Sequence, residues 1–295
     1  MALVVAAGVL VVAPVAFAAT IEVRPGPNAI HKALRRAHSG DTLRIHDGTY
    51  RESVAINKRV TLRGIGGRPT IDARCNSRTT FVVNRGGFTL DHLMVVGAAD
   101  GFGYPPSEID IENIGRGTVN DVIVHNTCGP LGEGAQYGIN VFGTGPVVVS
   151  NSRATGAFTD AGIYVGGISD TGGEPLRVVN NATFLNHQGI IIENSFGNSI
   201  IQVANNNTHH NNIAGVGEPA SGIFINNSDG VRIRSNTVQN NGEFGVNISA
   251  GSDDNRLVQN TITDNPVDLN NQGSGTCGSG NTIGSRSGNP LTPCG

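Results

Sequence analysis

Short runs in which apolar and polar residues alternate recur along the chain, and most of them begin at a glycine. Residues 221–241 hold the clearest copy, with two alternating runs separated by a turn rich in Asn, Asp and Gly. Alternation with period 2 is typical of β-strands, and self-similarity at spacings of 24, 27, 33 and 23 residues indicates stacked supersecondary units. The pattern therefore predicts an all-β, single-domain parallel β-helix. The copies begin at Gly138, Gly162, Gly189, Gly222 and Gly245, and a further match at Glu108 lacks the glycine.

Asparagines follow the second strand of each copy and predict a ladder inside the solenoid. Equivalent positions of stacked coils lie above one another, so amide side chains there can satisfy the backbone groups of the turns. The predicted ladder consists of Asn126, Asn151, Asn181, Asn206, Asn236 and Asn260.

If the coils stack in register, the residues on their outer surface can be identified. The inward positions of the copies are all Val or Ile, and period-2 alternation points the residues between them outward. One outward column then holds Asp110, Asn140, Tyr164, Ile191, Phe224 and Asn247. The next holds Glu112, Phe142, Gly166, Glu193, Asn226 and Ser249.

The two ends of the chain carry separate signals. Residues 1–19 are apolar and end in an A-x-A arrangement, which predicts a secretory signal peptide; an anchor helix is the alternative, because a basic start is missing. The β-helix domain is predicted over 20–295. Within it, Asn28 is expected to cap a helix over 28–39 that covers the open end of the solenoid, and 268–295 forms a C-terminal cap or tail.

The composition limits the kinds of partner that the protein is expected to bind. The net charge of −3 gives no basic field, so a nucleic-acid partner is not expected, and after signal cleavage no segment is apolar enough for a membrane. Four cysteines predict two disulfides in a secreted or extracytoplasmic protein; of three possible pairings, Cys277 with Cys294 is favoured because it would staple a Gly/Ser-rich tail. A monomer is expected.

The segment G-D-T-L-R-I-H-D-G-T-Y-R-E-S-V-A-I-N-K-R-V-T-L-R-G, residues 40–64, resembles the first coil of the pectin-lyase-like right-handed β-helix superfamily. With the repeats, this resemblance covers nearly the whole mature chain. It implies a right-handed β-helix and a range of activities: polysaccharide lyases, hydrolases, esterases and epimerases, but also tailspikes, adhesins and periplasmic metal-handling proteins. The catalytic motifs of pectin methylesterases, polygalacturonases and alginate epimerases find no complete match here, so the fold does not decide the function.

Candidate chemistry falls on neighbouring coils. Two residues before the repeat glycines, Asp160 and His187 stand on successive coils beside the outward Tyr164, and a carboxylate that holds a histidine in one tautomer is an acid/base arrangement. These three residues are the predicted catalytic group. The alternative is a solvated turn pair without chemistry.

The predicted substrate-binding residues line a groove over the same coils. They are Asp110, Glu112, Tyr137, Asn140, Phe142 and Glu193. Aromatic rings suit the faces of sugars, and Phe102, Tyr104 and Phe158 fall in the same region. No cofactor is predicted, although Asp110 and Glu112 could offer oxygen ligands to Ca²⁺. His209 and His210 are a weaker metal candidate, because adjacent histidines usually face different ways.

These observations favour a secreted protein that acts on a polysaccharide, with a uronate polymer as the expected substrate and lyase or epimerase chemistry. A hydrolytic variant would pair carboxylates such as Asp110 and Asp160. The alternative function is a noncatalytic β-helix that binds glycans or a surface partner. Another row of residues, four before the ladder asparagines, is either a solvated stripe or a binding face for an acidic polymer: Arg177, Gln202, Arg232 and Arg256.

Overall fold

The chain folds as a right-handed parallel β-helix, as predicted. Each coil contributes one strand to each of three parallel sheets, which we name A, B and C in the order in which the chain visits them. The predicted signal peptide lies outside the described residues apart from Ala18 and Ala19. The computed structural model describes residues 18–84, 86–101, 106–112, 115–129, 134–143, 145–157, 159–197, 200–211 and 219–294.

Each sheet consists of short parallel strands in the following spatial order. Sheet A contains Thr20–Val23, Thr42–His46, Val60–Ile65, Gly87–Asp91, Arg116–Asn120, Val147–Ser150, Leu176–Val179, Ile201–Ala204, Arg232–Arg234, Arg256–Val258, Cys277–Ser279 and Thr292–Pro293. Sheet B contains Thr49–Tyr50, Thr70–Ser77, Met94–Ala98, Ile123–His125, Arg153–Thr155, Ala182–Phe184, Asn207–His209, Thr237–Gln239, Thr261–Thr263 and Thr282–Ile283. Sheet C contains Val54–Ile56, Thr79–Val83, Ser107–Glu112, Tyr137–Phe142, Ala161–Gly166, Gln188–Glu193, Ser221–Asn226, Phe244–Ile248, Val267–Asn271 and Arg286–Gly288.

The repeat glycines stand where the chain turns from sheet B into sheet C, with their missing side chains directed into the solenoid. A β-carbon at Gly138 would lie 2.5 Å from the carbonyl oxygen of Gly162, and one at Gly189 would lie 2.3 Å from that of Gly222. Neighbouring coils leave no room for a side chain at this corner, which is why the sequence repeat begins with glycine. Glu108 occupies the same position in an earlier coil and is completely buried.

A short helix, Ala29–Arg36, covers the N-terminal end of the solenoid and buries Ile30, Ala33 and Leu34. It is shorter than the predicted 28–39. Asn28 lies at its N-cap position, as predicted, but has φ 50° and makes no side-chain capping bond. Glu52, from the following coil, accepts hydrogen bonds from the backbone N–H groups of Ile30 and His31 at 2.9 and 3.0 Å. A carboxylate at a helix N-terminus both satisfies orphan donors and complements the helix dipole.

The asparagine ladder exists, but two of its predicted members are wrong. Asn151 is exposed with φ 51°, and Ser152 takes the ladder position by donating its backbone N–H to Asn181 Oδ1 at 2.9 Å. Asn126 lies at the other corner, between sheets B and C, where its Oδ1 accepts the N–H of Cys128. The observed ladder runs through Asn181, Asn206, Asn236, Asn260 and Asn281.

A second ladder, which the sequence analysis missed, follows the corner between sheets B and C. It runs through Asn186, Asn211, Asn241 and Asn265 and ends at Asp268. Both disulfides form, joining Cys75 to Cys128 and, as favoured from the sequence, Cys277 to Cys294. Among the described residues, no helix is long and apolar enough to cross a membrane.

Replacing Asn206 with alanine is expected to destabilise the fold by about 2 kcal/mol, because buried groups lose their partners. Asn206 Oδ1 accepts from the backbone N–H and the amide of Asn181, and its Nδ2 donates to the carbonyl oxygen of Val178 at 2.8 Å and to Asn236. Chemical denaturation would measure the loss. Asn207→Ala, at the exposed neighbouring position, serves as the control and should change stability by less than about 0.5 kcal/mol. Equal effects of the two substitutions would contradict the importance of the ladder.

Candidate functional site

The outer face of sheet C carries both predicted columns in the predicted register. Asn140 pairs with Asp110 and Tyr164, and Ile191 pairs with Tyr164 and Phe224. In the second column, Phe142 pairs with Gly166, which pairs with Glu193. The solenoid therefore brings residues from distant parts of the sequence onto one surface.

The first column forms an apolar layer outside the main core. Its side chains point away from the solenoid, yet Tyr164, Ile191 and Phe224 are each 7% exposed or less, and they pack with Tyr137 and Ala161 in a separate buried cluster. A carboxylate at the edge of such a layer loses part of its hydration, which raises the cost of its charged form. The half-buried Asp160 and Glu193 lie at this edge.

Two tyrosines each bind one of these carboxylates. Tyr164 donates its hydroxyl hydrogen to Glu193 Oε2 at 2.7 Å, and Tyr137 donates a hydrogen bond to Asp160. The two phenol rings lie against each other with their centroids 4.6 Å apart. We name these four residues the tyrosine–carboxylate cluster. It unites two predicted catalytic residues with two predicted substrate-binding residues.

A glycine allows this geometry. The Tyr164 ring lies over Gly166, where a β-carbon would come within 2.4 Å of the phenol oxygen. Because Gly166 pairs with Glu193 in the next coil, the ring can cross that open position and reach the carboxylate. Asn226, one coil further on, donates its amide to Glu193 Oε1 at 2.6 Å and fixes the other oxygen.

Asp160 has a perturbed acidity. Desolvation raises its pKa to about 6, and the negative charge of Glu193 acts in the same direction. Hydrogen bonds from Gln136 and Tyr137 oppose this shift, as does the charge of His187. A carboxyl with a pKa near 6 can both accept and release a proton close to neutrality, which is the property of a general acid or base.

His187 is on the coil after Asp160, as predicted, because Ala161 pairs with Gln188. Its side chain is only 3% exposed, and its backbone N–H donates to the carbonyl oxygen of Ala157 at 2.8 Å. The His187 side chain is therefore buried beside the cluster, whereas Asp160 and Glu193 are partly exposed.

Asn140 lies one coil before Tyr164, and Asp110 lies two coils before it. Asp110 Oδ1 accepts the Asn140 amide at 2.8 Å, and its Oδ2 is 3.0 Å from a guanidinium nitrogen of Arg78. Desolvation raises the pKa of this completely buried carboxyl. Both oxygens are engaged within the protein, so Asp110 does not present a ligand pair with Glu112 to calcium. Arg78, which the sequence analysis missed, precedes a strand and carries no repeat signal.

The second column forms the accessible edge of the site. Glu112, Glu193 and Asn226 are half-buried, and the Phe142 ring is 44% exposed. Phe196, on the same coil as Glu193, is 45% exposed. Phe142 lies two coils away, and coils stack about 4.8 Å apart, so the two rings are separated by roughly 10 Å along the axis. Phe102, Tyr104 and Phe158 lie outside the described residues.

The fold and this outer face define a β-helix of the pectin-lyase-like class. The sequence model of the family described as "Periplasmic copper-binding protein (NosD)" matches residues 75–284. The chain belongs to this family. No curated protein matches the sequence at a significant level.

Solved structures share the architecture at low sequence identity. Pectate lyase Pel9A has a TM-score of 0.66 and 14% identity, over 92% of this chain and 80% of that one. A Geobacillus virus E2 protein, ORF18, has a TM-score of 0.59 and 13% identity, over 90% of this chain and 59% of that one. A variant of the PL6 family alginate lyase AlyGC has a TM-score of 0.57 and 16% identity, over 94% of this chain but 41% of the lyase. Identities this low show the fold alone.

Proposed function

We propose that the protein binds a uronate-containing polysaccharide along the outer face of sheet C and acts on it by lyase or epimerase chemistry. The tyrosine–carboxylate cluster carries this proposal: two carboxylates and two phenols meet at the edge of an apolar layer, and one carboxyl has a pKa of about 6. Titratable groups with perturbed acidity beside a binding surface are candidate proton-transfer groups.

The exposed rings extend the site along the solenoid. Phe142 and Phe196 offer apolar surfaces to sugar faces on either side of the cluster, while Glu193 and Asn226 can bind hydroxyl groups. The guanidinium of Arg78, one-quarter exposed beside Asp110, can face a substrate carboxylate. A linear polymer lying parallel to the solenoid axis would contact these groups in sequence.

Asp160 and Tyr164 can supply the proton transfers that a lyase or an epimerase needs. The Asp160 carboxylate takes the proton from the sugar carbon next to the uronate carboxyl group. In a lyase, the released electron pair forms a carbon–carbon double bond as the bond to the glycosidic oxygen breaks, and this oxygen takes the hydroxyl proton of Tyr164. In an epimerase no carbon–oxygen bond breaks, and Tyr164 returns a proton to the opposite face of the same carbon. Solvent then exchanges protons with Asp160 and Tyr164 to restore both groups.

A noncatalytic glycan-binding role is the second candidate. The observation that favours it is burial: Tyr137 and Tyr164 are 5% and 7% exposed, so substrate would have to reach their hydroxyl groups at the edge of a packed layer. In this role the exposed rings and Glu193 would bind sugar, and no proton would be transferred.

Copper, which the family description prints, does not fit the described residues. They contain no group of three or more His, Cys, Asp or Glu side chains able to hold a metal ion. His209 and His210 bring their Nδ1 atoms within 2.9 Å of each other, contrary to the expectation that they face apart, but they supply only two donors.

An extracytoplasmic location is part of the proposal. Two disulfides are typical of oxidising compartments, and residues 1–19 have the pattern of a signal peptide. The family description prints the word periplasmic.

Incubation with polygalacturonate, alginate and a neutral glucan tests the proposal. We expect unsaturated sugar ends for a lyase, or exchange of solvent deuterium into the polymer for an epimerase, with a uronate polymer only. Titration calorimetry on the same polymers measures binding. Binding without products would favour the noncatalytic role, and neither products nor binding with any of the three polymers would refute both.

A further inference from the structure

The outer face of sheet A carries arginines on stacked coils towards the C-terminal end of the solenoid. Arg177 pairs with Gln202, Gln202 with Arg232, and Arg232 with Arg256. Arg234 points outward from the same strand as Arg232. The four arginines are all exposed, and we name them the arginine face.

Three of the four, Arg232, Arg234 and Arg256, form no salt bridge within the described part of the chain, whereas the charge of Arg177 acts on Glu174. In the described part of the chain, Arg232 and Arg256 make neither a salt bridge nor a side-chain hydrogen bond, and Arg234 bonds only the uncharged amide oxygen of Gln259, at 3.4 Å. The aspartates of the adjoining turns are directed to backbone groups: Asp229 accepts the N–H of Asp253, and Asp253 accepts the N–H of Ser274.

Earlier coils of the same sheet show the opposite arrangement. Arg44 lies 2.7 Å from Glu22, and Arg63 lies 2.8 Å from Asp91 on the neighbouring strand. The arginines of the first coils are therefore neutralised by carboxylates across the ladder. In the arginine face, Arg177 and Arg232 instead pair with Gln202, and Arg232 also pairs with Arg256.

Stacked like charges work against folding. Side chains directly opposite each other on neighbouring strands interact, and like charges there are destabilising. Arg232 and Arg256 are such a pair, so the fold gains nothing electrostatically from having both. An anion that bridges the two guanidinium groups would remove this repulsion, and guanidinium binds carboxylate with two parallel hydrogen bonds.

The surface between these arginines is grooved. Uncharged residues, Ala204 and Val258, pair with Arg234 on the two neighbouring strands. One groove of about 500 Å³ is lined by Gln202, Ala204, Asn205, Arg232, Arg234 and Ser235. A second, of about 370 Å³, is lined by Arg232, Ile233, Arg234, Arg256 and Val258. The two share Arg232 and Arg234 and so form one strip along the axis.

We propose that the arginine face is a second polysaccharide-binding site, which holds a carboxylate-bearing chain on sheet A, separate from the cluster on sheet C. The choice of a polysaccharide as the polyanion rests on the proposed function. Single-stranded nucleic acid is the competing polyanion, but its binding sites combine basic grooves with aromatic rings on which bases stack. In the described part of the chain, neither groove is lined by an aromatic ring.

The test compares the full chain with the double variant Arg232→Gln/Arg256→Gln. Titrations use polygalacturonate, its fully methyl-esterified form, polyphosphate and oligothymidylate. We expect the parent protein to prefer polygalacturonate, and the double variant to bind it at least tenfold more weakly with a smaller dependence on salt. The variant should be at least as stable as the parent, because a repulsive pair is removed.

Arg44→Gln/Arg63→Gln is the matched control, with the same change of charge on the same sheet at arginines that are already neutralised. It should leave affinity within about twofold of the parent. Unchanged affinity of the Arg232→Gln/Arg256→Gln variant, equal loss in the control, no polygalacturonate binding, or preference for oligothymidylate or polyphosphate would each overturn the proposal. Arginine-dependent binding without any turnover would refute only the enzymatic chemistry on sheet C.

Discussion

Replacing Asp160 with asparagine is expected to reduce turnover of a uronate polymer by about 10²- to 10⁴-fold, the usual contribution of a general acid or base. The amide keeps the size of the side chain and can still accept hydrogen bonds from Gln136 and Tyr137. It cannot take a proton from the sugar. Binding of the polymer should change much less than the rate, because Phe142, Phe196 and Glu193 are untouched.

The pH dependence gives this prediction a second readout. The carboxylate form of Asp160 is the base, and burial raises its pKa to about 6. Turnover by the parent protein should therefore decline as the pH falls through about 6, and the residual turnover of Asp160→Asn should lack this limb. Initial rates between pH 4 and 8 would measure both.

Asp253→Asn provides the control for Asp160→Asn. It makes the same change at a partly exposed aspartate, bonded to Ser274 in a turn away from the cluster. Activity of this control should equal that of the parent, and thermal unfolding of both variants would verify that the fold is intact. Full activity of Asp160→Asn, or an unchanged pH limb, would remove Asp160 from the chemistry.

The register of sheet C could be predicted because the inward positions of its repeat copies are all Val or Ile. A slip of one residue would turn Ile109, Ile139 and Ile163 to the surface and bury their polar neighbours, which the hydrophobic effect strongly disfavours. Once the register was known, counting residues along each strand assigned the outward positions, such as Asp110, Asn140 and Tyr164. Coil stacking then brought Tyr164 next to Glu193.

The contacts formed through turns could not be predicted in this way. Asn151 and Ser152 are adjacent, and either side chain can satisfy a ladder bond, so only the backbone conformation selects Ser152. The second ladder was missed for a related reason: Asn211 and Asn241 each lie beside other asparagines, and the turn decides which one faces inward. The bond between Tyr137 and Asp160 depends on turn geometry that period-2 alternation does not describe.

Glu108 has a structural role that the repeat pattern did not reveal. The sequence pattern identified Glu108 only as a repeat copy that lacks the glycine. In the structure, its side chain enters the corner between sheets B and C and binds backbone N–H groups there. Its Oε1 accepts the N–H groups of Gly97 and Ala98 at 3.0 and 3.2 Å. Its Oε2 lies 2.9 Å from Thr80 Oγ1, which is also 2.9 Å from the carbonyl oxygen of Val96.

A protonated Glu108 satisfies every contact in this hydrogen-bond pattern. Thr80 has a single hydroxyl hydrogen, and its two neighbours are both oxygens. If Thr80 donates to Val96, the short contact with Oε2 is satisfied only when Glu108 donates its own proton to Thr80 Oγ1. Desolvation accordingly raises the pKa of Glu108 to about 8, and the nearby charge of Asp72 acts in the same direction.

Stability should therefore fall with rising pH through Glu108. The folded protein holds this proton up to about pH 8, whereas an unfolded chain releases it near 4.5, so the folded state binds more protons between these values. The loss approaches about 1.4 kcal/mol per pH unit within this window. Glu108→Gln should remove it, since the amide nitrogen can donate to Thr80 while the amide oxygen accepts from Gly97 and Ala98.

Denaturant unfolding of Glu108→Gln and the parent between pH 4 and 9 measures this effect as a difference, in which all other titrating groups cancel. We expect similar stability near pH 4 and a variant that is more stable by about 3–4 kcal/mol at pH 8. Glu112→Gln, on the outer side of the same strand, should follow the parent because its side chain is partly solvated. A parent and a Glu108→Gln variant with parallel pH profiles would show that Glu108 is ionised in the fold, with the Thr80 hydroxyl donating to Oε2 instead of to Val96.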